Sequence, residues 1–168
     1  MNNSLTGHII RFFALVFAQV LIFNHVNFLG YINPYVYILF IAFFPVKNNR
    51  PLFIFSSFLL GLSIDLFLDT GGIHAAASVL AAYMRPVILK SSFGTVYEYQ
   101  SVRFNAVSFG VKITYITLLV IAHHLVLFSL EIFSISKILL ILQKTLFSSI
   151  FTILLSIIIS IIFSRNNK

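Results

Sequence analysis

The sequence predicts an all-α polytopic membrane protein, about six transmembrane helices in one bundle. Three observations carry this. First, the 168-residue chain is 60% hydrophobic and 9% charged, with a mean hydropathy of +1.03. A soluble domain averages about 25% charged and about 45–50% apolar residues, so this chain has too little polar surface to cover a soluble particle. Second, its apolar residues fall into runs near the roughly 20 residues that a helix needs to cross a hydrocarbon core of about 30 Å. Third, the basic residues lie between those runs and mostly on one side. The length suits a single transmembrane domain over 1–168, with no room for a sizeable soluble one.

The expected spans are 8–24, 31–46, 51–69, 72–90, 107–130 and 140–163. The first opens "HIIRFFALVFAQVLIFN"; its Gln19 is placed to hydrogen-bond across the bundle. The second is the shortest. Asn33-Pro34 reads as an N-cap followed by a proline in the first turn, so its helix needs help from the preceding "FLGY". The third and fourth form a hairpin through "LDTGG". Residues 91–106, with Phe93, Tyr97, Tyr99 and Phe104, read as an interfacial linker of mixed aromatic and polar residues. Residues 131–144 carry Lys137 and Lys144, seven apart on one helical face, able to snorkel outward. Serines and threonines in the last two spans read as back-bonded helix residues.

Charge sets the orientation. With both termini cytoplasmic, Arg11, Lys47, Arg50, Arg85, Lys90, Arg103, Lys112, Arg165 and Lys168 lie inside and only Lys137 and Lys144 outside. That is the positive-inside pattern, and an odd number of spans would break it. The net charge of +7 therefore points to anionic lipids on the cytoplasmic side rather than to nucleic acid. With no cysteine there are no disulfides or thiolate metal sites. A cleaved signal peptide is not expected, because the first run lacks a small-x-small cleavage site.

Two of only four acids sit in one stretch, "GLSIDLFLDTGGIHAAASVLAAYMRP". Asp65 and Asp69 are one helical turn apart, Asp65 about 6 Å deeper than the outer interface. An intramembrane acid raises the possibility of an ion or proton site. The structural reading is favoured: a carboxylate that caps the next helix or locks two helices together. Asp69 is expected to end the third span and cap the fourth through "TGG". Asp65 is expected to find a partner in the outer half, where His74, His123 and His124 also fall; a hydrogen-bonded Asp–His pair is expected rather than a metal site. His25 is expected to be solvated. Ala75, Ala77 and Ala81 of the fourth span, with Ser78 and Ala82, and the lone pair Ala14 and Ala18 of the first, are small residues that let helices approach closely. The contact is within the chain or with another chain; the sequence leaves both open. No nucleophile elbow, phosphate loop or nucleotide fingerprint is present, so neither catalytic residues nor a cofactor is assigned.

Gly61-x-x-x-Asp65 followed by Gly72-x-x-Ala75, together with "AQVLIFNHVNFLGYINP" at 18–34, resembles the signature of the rod-shape-determining MreD family. Chain length and layout are similar over the whole chain. The resemblance implies a fold similar to the substrate-binding subunits of energy-coupling-factor transporters. It implies a non-enzymatic scaffold of the bacterial cell-elongation machinery in the cytoplasmic membrane, binding the single-span protein MreC. MreB, RodA and a class B penicillin-binding transpeptidase would be further partners, in support of peptidoglycan synthesis and rod shape. Gly61, Asp65, Gly72 and Ala75 match the motif; Asp69 and His74 depart from it. A different expectation is a small-molecule binding subunit of a transporter, because Ala14-x-x-x-Ala18 resembles the coupling motif of such subunits. The few polar groups in the outer loops count against a vitamin-type ligand.

Overall fold

The computed structural model describes residues 5–28, 32–45, 49–94 and 107–165. The structure is an all-α bundle: α1 (Leu5–Leu21), α2 (Ile38–Phe43), α3 (Arg50–Leu68), α4 (Ile73–Phe93), α5 (Phe109–Ile132) and α6 (Ile138–Arg165). Single 3-10 turns follow α1 and precede α6. Four segments, Thr6–His25, Arg50–Leu68, Phe109–Ile132 and Ile135–Ile162, are long and apolar enough to cross a membrane. α4 is of comparable length, 21 residues, but carries more polar residues, and it packs between α3 and α5.

Local chemistry marks the boundaries. Pro51 occupies the first turn of α3, where its missing N–H costs nothing. Asp69 ends α3 in the left-handed conformation, at φ 53°, with its N–H donated to the Asp65 carbonyl. Gly72 precedes α4 at φ 97°, a conformation open to glycine. Phe133 closes α5 in the same left-handed way. Pro86 lies inside α4, which runs on to Gly94.

The second segment differs from expectation. A helix over 31–46 is expected, but only 38–43 is helical. Pro34 has no N–H to give, and residues 33–35 do not coil. Their backbone is satisfied from neighbouring helices instead. Gln19 Nε2 donates to the Pro34 carbonyl at 3.0 Å, and the Tyr35 N–H donates to Thr152 Oγ1 at 3.0 Å. Non-helical backbone at membrane depth is tolerated where protein buries it. Here Ile32, Val36 and every residue from Tyr37 to Ala42 are buried. An apolar helix surrounded on all sides is the inner strut of a bundle. The Tyr37 hydroxyl meets the first turn of α4 and the Phe44 carbonyl meets Arg85, so this strut, about 10 Å long from Tyr37 to Phe44, runs alongside α4.

The main core gathers on this strut, with Tyr37 and Ile41 against Leu60, Ile64, Tyr115 and Leu119. A smaller cluster, Ala77, Leu127, Phe128 and Ile141, sits toward the α5–α6 turn. Phe93 belongs to the main core and meets Tyr115 edge-on at 5.7 Å, rather than lying in the interface as expected. The remainder of the expected linker, from residue 95 to 106, lies outside the described residues, as do Lys47, Arg103 and Lys168 and the side chain of Arg165.

Charges segregate along the bundle. Arg11, Arg50, Arg85, Lys90 and Lys112 fall in the half where α1, α3 and α5 begin and α4 ends. Among the described residues the acids Asp65, Asp69 and Glu131 all fall in the other half. There Lys144 reaches Glu131 at 2.7 Å and lies over the Phe128 ring, so it is paired rather than simply snorkelling.

Candidate functional site

The α3–α4 joint is built from the motif positions. An α-helix leaves its first N–H groups without intrahelical partners, and Gly72, at the N-cap of α4, has no side chain to offer them. Asp65 supplies the acceptors from across the joint. Its Oδ1 accepts the His74 N–H at 3.0 Å and the Thr70 hydroxyl at 2.5 Å; its Oδ2 accepts the Ala75 N–H at 2.8 Å. The carboxylate thus does for α4 what an N-cap side chain normally does, and its charge sits at the positive end of the helix.

Gly61, one turn earlier on α3, makes this reach possible. A Cβ there would lie 2.5 Å from Ala75 Cα, 2.6 Å from Ala75 N, and against the His74 carbonyl oxygen. The backbones touch, and Asp65 then meets the exposed N–H groups. Gly61, Asp65, Gly72 and Ala75 therefore serve a single contact.

Two expectations are corrected here. Asp69 ends α3 but caps nothing in α4; the cap comes from Asp65, because only a residue facing α4 from within α3 reaches its first turn. Asp65 also pairs with no imidazole. It takes the backbone N–H of His74, while the His74 ring turns toward Tyr37.

One turn deeper lies a buried aromatic–histidine network. The Tyr37 hydroxyl is 2.9 Å from His74 Nδ1 and 2.9 Å from His123 Nε2. A hydroxyl has one proton, so Tyr37 donates to one ring and accepts from the other. His124 Nδ1 donates to the Val120 carbonyl at 2.8 Å, which leaves Nε2 as acceptor from the Thr152 hydroxyl at 3.2 Å. Thr152 in turn accepts the Tyr35 N–H, tying α5, α6 and the strut together. His123 Nδ1 is buried without a hydrogen-bond partner among the described residues. No group of three or more His, Asp or Glu among the described residues is arranged to hold a metal ion. His25 is exposed in the 3-10 turn after α1.

Gln19 bonds across to the second segment as expected, at the Pro34 carbonyl, and locally to Asn24 at 2.8 Å in the turn after α1. The small residues divide. Ala75, Ala77, Ala81 and Ala82 are buried inside the bundle, so their close packing is within the chain. Ala14 is exposed and Ala18 half-buried. In α6 the hydroxyls do not uniformly back-bond. Thr145, Ser148, Ser149 and Ser156 are buried without partners among the described residues, and Thr152 bonds to His124.

Arg85, counted from the sequence only as a basic residue of one side, is buried. Its Nη2 donates to the Ala42 and Phe44 carbonyls at 3.1 and 2.5 Å, and its Nε donates to the Tyr115 hydroxyl at 2.9 Å. Tyr115 itself donates to the Ala42 carbonyl at 2.9 Å. A cation at the C-terminal end of short α2 answers carbonyls that have no helical partner. The signal in the sequence is an arginine between Met84 and Pro86, five residues before the next charge in an apolar helix. Comparison with protein-family models, with curated proteins and with solved structures finds no match to the chain.

Proposed function

We propose that the chain is a non-enzymatic membrane scaffold of the MreD type, which binds an MreC-like single-span protein in the cytoplasmic membrane and supports peptidoglycan synthesis and rod shape. MreB, RodA and a class B penicillin-binding transpeptidase are the further partners this reading implies. The observation that carries it is the convergence of Gly61, Asp65, Gly72 and Ala75 on one helix joint. Four positions scattered over a motif have a common physical task here, as expected of a signature that defines a fold. The segregation of Arg11, Arg50, Arg85, Lys90 and Lys112 into one half supports cytoplasmic termini and contact with anionic lipids on that side.

Ala77 and Ala81 are spent on packing inside the chain, so a partner span has to use outward faces. The stripe Ile10, Phe13, Ala14, Phe17 and Leu21 of α1 is exposed, and Ala14, beside the stacked rings of Phe13 and Phe17, is a small residue where another helix can approach closely. The test is co-purification of the full chain with its single-span partner from membranes. Ala14→Trp is expected to lower it, while exposed Leu66→Ala on α3 leaves it unchanged. Failure of the unaltered chain to retain any MreC-like protein would sink the scaffold reading. Tight, specific binding in a vitamin screen would favour a transporter binding subunit instead.

A further inference from the structure

An apolar groove opens on the outer surface of the α3–α4 pair, at the end where α3 begins. Arg50, Pro51, Ile54, Phe55 and Phe58 of α3 and Val79 of α4 line about 550 Å³. The groove wall is almost wholly apolar, so Arg50 lines it with its aliphatic stem, while its guanidinium stands at the rim, 5.2 Å from the centre of the Tyr83 ring, a cation–π contact. Arg50 begins a segment long and apolar enough to cross a membrane. In a bilayer its charge therefore lies at headgroup depth and the groove floor in hydrocarbon. The nearest acid on the same helix, Asp65, is about 22 Å away along the axis. The other described acids, Asp69 and Glu131, lie in that far half too.

We propose that this groove binds one anionic phospholipid, with its phosphate on Arg50 and an acyl chain along Ile54, Phe58 and Val79. A cation over an apolar floor matches a ligand that is anionic at one end and apolar along its length. A transmembrane helix would need an acid placed to meet Arg50, whereas a phospholipid carries its phosphate at this depth, and a soluble phosphate would leave the groove unfilled. The site gives a place to the lipid contact proposed above, yet it stands without the scaffold role, since lipid retention is read with no partner protein present.

Native mass spectrometry of the full chain, released from detergent with equal phosphatidylglycerol and phosphatidylcholine, tests it. The unaltered protein is expected to retain phosphatidylglycerol preferentially. Arg50→Gln is expected to weaken that retention about fivefold while leaving phosphatidylcholine unchanged. Val79→Phe, which fills the groove, is expected to weaken retention of both. Glycerol phosphate, a headgroup without tails, is expected not to compete. Thermal melting followed by circular dichroism checks that each variant folds; Phe58→Ser replaces Val79→Phe if the latter does not. Unchanged retention in Arg50→Gln or in the groove variant overturns the proposal. So does full competition by glycerol phosphate.

Discussion

The Asp65 carboxylate accepts the backbone N–H of Ala75 at 2.8 Å, across a joint where Gly61 lets the two helix backbones touch. This places a charge where α4 needs an acceptor. Asp65→Ala is expected to destabilise the protein by about 3 kcal/mol, since it strands two buried N–H groups and a hydroxyl. Asp65→Asn keeps one acceptor oxygen and is expected to cost about half as much. Unfolding in mixed micelles of increasing denaturing detergent measures both. Equal stability in the alanine variant would refute the capping role.

Gly61→Ala adds a single methyl, yet that methyl meets main chain rather than a movable side chain. The expected cost is about 1–3 kcal/mol, typical of overpacking. The cost should fall on the same joint as Asp65→Ala. A double mutant is therefore expected to lose less than the sum of the two single changes.

Tyr37→Phe removes one oxygen that serves two imidazoles. Leaving buried nitrogens of His74 and His123 unpaired is expected to cost about 1–3 kcal/mol each. A triple variant, Tyr37→Phe with His74→Leu and His123→Leu, replaces the whole polar set with apolar groups and is expected to recover stability. If the triple variant is the least stable of all, the network contributes more than mutual satisfaction.

Arg85→Met keeps much of the side chain's volume but leaves the Phe44 carbonyl without its donor and the Ala42 carbonyl with the Tyr115 hydroxyl alone. Losing these charge-assisted hydrogen bonds is expected to cost about 1.5–3 kcal/mol. The damage should appear first as faster amide exchange in α2, read by hydrogen–deuterium exchange. Protection of α2 equal to that of the unaltered protein would count against Arg85 as its clamp.

Much of the architecture is legible in hydropathy and punctuation. Pro51, Asp69 and Gly72 mark α3 and α4 within a residue or two, because backbone conformation follows from those residue types directly. The second segment is legible only in part. Asn33-Pro34 marks where it changes, but its backbone partners, Gln19 and Thr152, come from α1 and α6 and leave no local trace. The same limit applies at the candidate site. That an acid of the third span caps the fourth helix follows from the scarcity of charges. Which acid does so depends on Gly61 bringing α3 against Ala75, a contact between helices. Arg85 is legible in the sequence only as a basic residue of one side, because burial of a cation depends on carbonyls released by a six-residue helix, which sequence periodicity does not reveal.

The strut has a consequence for how the protein is made. The Tyr35 N–H finds its acceptor on Thr152, 117 residues further along the chain. At about 5–20 residues per second, synthesis of that interval takes roughly 6–25 s. For that time the Tyr35 N–H has no acceptor from the last helix. This contact of the second segment is therefore among the last to form, once the last helix arrives to close the bundle.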